Sequence, residues 1–123
     1  LRGPAAGRSF EHFISLELMA YKKIMDCDWS IQYWRTHEGH EVDFILGDAK
    51  IAIEVKFREQ IDRRDLKDLN AFQEEHPNTK AYVICQAPRP RLITLENHGI
   101  THEIEILPYR EFLALLWTHA LPL

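Results

Sequence analysis

Cysteine is scarce in this chain of 123 residues: there are two, Cys27 and Cys85, each inside an apolar segment. Neither has a partner at metal or redox spacing, which excludes a disulfide framework and reads as two reduced core thiols. Long apolar runs are missing too. The longest, Phe112 to Trp117, is about a third of the ~20 residues that a spanning helix requires. No N-terminal stretch joins basic residues, an apolar core and a small-residue cleavage site, so a cytoplasmic protein without membrane contact is expected. There is no Gly-x4-Gly-Lys phosphate loop, so no ATPase site of that type lies in these residues. Basic residues are outnumbered, 15 Lys and Arg against 19 Asp and Glu, for a net charge of −4. That argues against a surface coated in phosphate-binding groups but does not exclude DNA, because binding depends on where the charge sits. Seven histidines are dispersed, His37 and His40 in one turn and His98 and His102 in one loop, with no Cys/His set for zinc. They read as surface residues.

What is present is an ordinary globular mix, 46% hydrophobic and 28% charged, at a length near the modal domain size. One domain spanning residues 1–123 with one core is expected. The chain opens Leu1-Arg2-Gly3-Pro4 with no initiator Met, which reads as a piece of a longer protein. Ser9 to Met25 has helical period, with Ser9 as N-cap and His12 at the capping-box position. Phe10, Phe13, Ile14, Leu18, Tyr21, Ile24 and Met25 then share one broad face, with Glu17 inside it and Glu11 at its edge. Ile31–Arg35, Val42–Leu46 and Ile51–Phe57 are short β-rich segments joined by two turns, a three-stranded antiparallel meander. Asp62–His76 is helical and Pro77 ends it. Ala81–Cys85 suits a strand buried on both faces. Weaker strands at Leu92–Leu95 and Glu103–Ile106 precede a helix at Tyr109–Trp117 that Pro108 opens. The order is α-β-β-β-α-β with a β-β-α extension.

The second hairpin carries the chemistry. A turn centred between Asp48 and Ala49 sets Leu46 opposite Ile51, Phe44 opposite Ile53 and Val42 opposite Val55, one apolar face. The other face then carries Asp43 opposite Glu54, Ile45 opposite Ala52 and Glu41 opposite Lys56. Two opposed carboxylates about 5 Å apart repel by roughly 3 kcal/mol at an effective dielectric near 20. A fold avoids that pair unless a proton, a base or a cation lies between them. Two oxygen ligands from adjacent strands, with room for water, suit Mg²⁺. Lys56, on the same face as Glu54, can steady an activated water or a phosphate. The alternative is a solvated sheet face on which Glu41–Lys56 is a cross-strand ion pair and Asp43 and Glu54 point into water.

An Asp followed after ten residues by Glu-x-Lys, with a Glu-bearing helix upstream, resembles the PD-(D/E)XK nuclease superfamily of restriction enzymes and Holliday-junction resolvases. The wider set is Gly7-x-x-Phe10-Glu11, Glu17-Leu18, Tyr33-Trp34-Arg35-Thr36, Glu41-Val42-Asp43-Phe44, Ile53-Glu54-Val55-Lys56, Leu107-Pro108 and Phe112-Leu113. It is similar to one family, a nuclease-like domain of unknown function found C-terminal to P-loop AAA-type ATPases in prokaryotes. The resemblance covers nearly the whole chain.

It implies an α/β fold with a restriction endonuclease-like αβββαβ core, its mixed central sheet flanked by helices and centred on the Asp43/Glu54 hairpin. It implies Mg²⁺, with Mn²⁺ as substitute, held by Asp43, Glu54 and the backbone carbonyl of Val55. Lys56 would orient the attacking water. Glu11, four residues after Gly7, would be the first-helix acid, with Glu17 as the competing choice. Val42 stands where the motif has Pro. A DNA partner, and a P-loop ATPase domain in the same longer chain, follow from the same resemblance.

Arg35, Arg58, Arg64 and Lys67 are candidates for a phosphate-facing rim, although alternation with Glu59, Asp62, Asp65 and Asp68 equally describes a solvated, ion-paired helix face. The expected activity is Mg²⁺-dependent hydrolysis of DNA phosphodiesters. The rival reading is a catalytically silent module that binds nucleic acid or a partner and regulates the linked ATPase. A third is a packing or homodimerising domain that uses aromatic surface at Trp29, Trp34 and Trp117.

Overall fold

The computed structural model describes residues 3–123. Helix α1 spans Gly3–Ile24, strands β1 to β3 span Ile31–Arg35, Glu41–Leu46 and Ile51–Val55, and helix α2 spans Lys67–Glu75. Strands β4 to β6 span Lys80–Cys85, Arg91–Asn97 and Ile100–Pro108, and helix α3 spans Tyr109–Trp117. The element order is the one read from the pattern. The strands form one mixed α/β sheet of six in the order β1-β2-β3-β4-β6-β5. β3, β4 and β6 are mutually parallel, while β1–β2, β2–β3 and β5–β6 are antiparallel. Its centre is therefore the β3–β4 pair, not the β2–β3 hairpin.

Alternation along the buried strands splits the core in two. On one face α1 and α3 cover Phe44, Leu46, Ile51, Ile53, Tyr82 and Ile84; on the other α2 covers Ile45, Ala52, Ala81, Val83 and Cys85. β4 reads as a continuous apolar run because both of its faces are buried.

Several expectations need correction. α1 begins at Gly3, so Ser9 lies inside it and caps nothing. Pro4 in the first turn gives up an N–H that has no helical partner there, and Ala5 and Ala6 propagate the helix. The buried stripe is Ala6, Phe10, Ile14, Leu18 and Tyr21. Phe13, Ile24 and Met25 are exposed, because three layers leave room to bury only a narrow stripe of this helix. The second helix starts as a 3₁₀ turn, Arg63–Leu66, with a capping box formed by Asp62 and Asp65. β5 and β6 are longer than expected, joined at His98 and Gly99 with φ of 52° and 78°, the conformation a two-residue hairpin turn demands. His102 lies in β6, not in a loop, and is buried. Trp34 packs edge-on to Phe72, and Trp29 and Trp117 pack against Tyr21; all three are half-buried, so each exposes only part of its ring.

Candidate active site

The β2–β3 register sets Phe44 opposite Ile53, Ile45 opposite Ala52 and Leu46 opposite Ile51, as the pattern requires. Beyond Phe44 the strands part. On its other side β2 pairs Gln32 with Ile45 but Trp34 with Val42, so Asp43 and Phe44 together oppose Tyr33. This is a β-bulge, an extra residue that bends the strand and re-aims its side chains. It moves Val42 to the α2 face, where it packs with Ile45 and Ala52. The expected Val42–Val55 apolar pair is thereby broken. The expected Glu41–Lys56 pair is absent as well: Glu41 is held by Arg35, whose Nε donates to Glu41 Oε1 at 2.9 Å.

The bulge brings Asp43 onto the end of β3. Val55 N–H donates to Asp43 Oδ2 at 2.8 Å, and Asp43 N–H to Glu54 Oε1 at 3.3 Å, so two side chains take the place of ladder bonds. Glu54 is 5% exposed. Its single ion-pair partner among the described residues is Lys56, with Nζ 3.8 Å from Oε2. Burial first, and then the charge of Asp43, push the Glu54 carboxyl up to about 9 despite Lys56. Glu11 reaches the same place from α1. Burial first and the charge of Asp43 second raise its pKa above the ordinary carboxylate value. An aromatic chain holds that stretch of α1 against the sheet end: Phe10 lies 5.6 Å from Phe57 and 5.7 Å from Tyr109 between ring centres.

Glu17 is placed elsewhere. Six residues further on, about 9 Å along the helix axis, its Oε1 accepts from Trp117 Nε1 at 3.2 Å and ties α1 to α3. Glu17→Ala is expected to lower the unfolding free energy by about 1–2 kcal/mol, read by urea denaturation; an unchanged unfolding free energy would contradict the tie to Trp117.

Three of the four expected rim cations are neutralised: Arg35 by Glu41, Arg58 by the buried Asp65, and Arg64 by Asp62 at 3.2 Å. Lys67 is exposed on α2. Residues with no functional reading from sequence lie at the chemistry-bearing edge instead. Arg89 and Arg91 follow β4, and Arg110, its guanidinium 5.6 Å from the Tyr109 ring centre, follows β6. Only the parallel pairing of β3, β4 and β6 brings these strand ends to one edge.

The donor set can be tested for Mg²⁺. Among the described residues no three His, Cys, Asp or Glu side chains converge as a ready-made metal cluster. Asp43 and Glu54, with one backbone carbonyl, leave the remaining positions to water and substrate. That suits Mg²⁺, which keeps several waters and takes one or two carboxylates, and does not suit zinc.

Fold and site together define a class: an α/β domain whose six-stranded mixed sheet carries a carboxylate–lysine cluster where its parallel strands end. The family described as "Domain of unknown function (DUF4143)" matches residues 6–109, and the chain belongs to it. A comparison with curated proteins finds no match. Among the described residues no helix is long and apolar enough to cross a membrane.

Proposed function

We propose that this is a Mg²⁺-dependent nuclease-like domain of the restriction endonuclease-like class, acting on DNA phosphodiester bonds and linked to an AAA-type ATPase in a longer chain. The observation that carries the reading is Asp43, set by a bulge against a buried Glu54, with Lys56 beside them. A buried Glu54 beside a half-buried Asp43, with one nearby ammonium, is a pair that a proton or a hard divalent cation completes.

Asp43 and Glu54 would hold the cation, with the Val55 carbonyl. When bound, it would supply a water of lowered pKa and offset negative charge on a phosphate. Lys56, with its side chain 30% exposed, has its ammonium where it can orient a water and face phosphate oxygens. Glu11, at the solvent margin of the cluster, is placed to accept or hold a proton next to Asp43.

The test is a cleavage assay on linear, branched and single-stranded DNA with and without Mg²⁺ or Mn²⁺, together with calorimetric titration of each metal. Cleavage of at least one substrate and metal binding at millimolar concentration are expected. Absence of both overturns the proposal. The catalytically silent, ATPase-regulating module has one observation in its favour, the lack of three converging metal-binding side chains among the described residues. A folded chain that binds DNA but neither Mg²⁺ nor Mn²⁺ at millimolar concentration, and cleaves no substrate, would select that reading.

A further inference from the structure

Past Lys56, the chain following β3 continues alongside the chain following β4. Lys56 N–H donates to Ile84 O at 2.9 Å and Gln86 N–H to Arg58 O at 2.8 Å. The two continuations then separate and enclose a cavity of about 430 Å³, walled by Glu59, Gln60 and Ile61 on one side and Pro88, Arg89 and Arg91 on the other. Glu59 on its wall is three residues from Lys56, and so at most ~10 Å of extended chain away.

The cations here differ from those of the expected rim. Among the described residues no carboxylate lies within ion-pair distance of Arg89 or Arg91. Arg91 spans the cavity wall, its Nη2 donating to Ile61 O at 2.8 Å. Arg89 is exposed between two prolines. Pro88 and Pro90 restrict the backbone on both sides, and a residue before proline is confined to extended conformations. The guanidinium is thus presented from a stiff loop, which reduces the entropy lost when it binds a ligand. Glu59 is the one opposing charge on the cavity wall.

We infer that this cavity seats a backbone phosphate of the DNA strand flanking the bond held at Asp43 and Glu54, with Arg89 as its ligand. The inference rests on the nuclease reading above. Guanidinium is the side chain whose planar fork matches phosphate. A wall within ~10 Å of Lys56 along the chain is near enough to meet a phosphate adjacent to the held bond. Arg91 lines the pocket and holds its far wall.

The test uses the whole chain with Ca²⁺ in place of Mg²⁺ to hold back cleavage. Fluorescence anisotropy follows a labelled DNA duplex, and the corresponding single strand, over a range of salt. Arg89→Ala is expected to weaken binding about three- to tenfold and to lower the slope of log affinity against log salt by about 1. Arg89→Glu weakens it further, and Arg89→Lys recovers part of the loss. Lys23→Ala, at the opposite end of α1, leaves affinity and slope unchanged. Circular dichroism melting establishes that each variant is folded. If the parent binds and folded Arg89→Ala and Arg89→Glu bind equally well with the same slope, the Arg89 site is overturned and the nuclease reading stands. If the parent binds neither DNA at any salt concentration, both fall together.

Discussion

Asp43→Asn and Glu54→Gln are each expected to reduce Mg²⁺-dependent DNA cleavage by about a thousandfold or more. Both amides keep the size of the parent side chain, so any loss reports charge and donor chemistry instead of packing. Each removes an anionic ligand, and stabilisation of developing phosphate charge by a held metal is worth several kcal/mol, with 1.36 kcal/mol for each factor of ten. The two differ in what else they disturb. Asp43 Oδ2 accepts the Val55 N–H at 2.8 Å, an arrangement that an Asn oxygen can keep. Glu54 Oε1 accepts from Asp43 N–H, and Gln can do the same. The folded structure should therefore survive both changes, and single-turnover cleavage with melting as control checks it. Full activity in both variants would remove the carboxylate pair from the chemistry. Glu11→Gln should lose less, because Glu11 stands at the margin of the cluster and is only half-buried.

The second large effect is a pH-dependent response to Mg²⁺. Without a cation, Glu54 keeps its proton up to about 9 in the folded protein, against an ordinary value of 4.5. A carboxyl raised on folding binds protons more tightly in the folded state. The stability it contributes is fully present below 4.5, declines as pH rises, and is gone above about 9. Glu11 is raised in the same direction and adds to the decline.

On the proposed reading Mg²⁺ would replace the proton, so its binding would release a proton and tighten with pH. The expected result is a falling melting temperature between pH 5.5 and 8.5 in EDTA. Millimolar Mg²⁺ should reverse that fall, with a small shift at the acid end and a large one at the alkaline end. Glu54→Gln, which carries no proton to lose, should melt higher than the parent in EDTA at pH 8.5 and respond weakly to Mg²⁺. A parent melting temperature flat with pH and indifferent to Mg²⁺ would contradict this account.

Much of the architecture is local in origin, and so it could be read residue by residue. The short turn between Leu46 and Ile51 sets the hairpin register, with Leu46 opposite Ile51 and Phe44 opposite Ile53. The all-apolar run of β4 marks a strand covered on both sides. The spacing of Phe10, Ile14, Leu18 and Tyr21 marks the buried stripe of α1. Asp43, Glu54 and Lys56 stood out because one hairpin brings them together with only a short turn between.

Other features depend on contacts that no short window of residues contains. The bulge at Asp43 arises from pairing with β1, and nothing in Glu41–Leu46 distinguishes a regular strand from a bulged one. Glu11 and Glu17 are acids on one helix, Glu11 favoured only through its spacing from Gly7; packing of α1 on β3 and α3 sent one to Asp43 and the other to Trp117. The rim cations chosen for nearness in sequence met acids equally near, Arg35 with Glu41, Arg58 with Asp65, and Arg64 with Asp62. Arg89 lies more than thirty residues beyond Glu54, and it arrives at the same edge because β3 and β4 run parallel. Local period and spacing thus determined the element order, the β2–β3 register and the acid pair. The partners of each charge were decided only by tertiary packing, because an electrostatic interaction depends on distance in space, which separation along the chain does not specify.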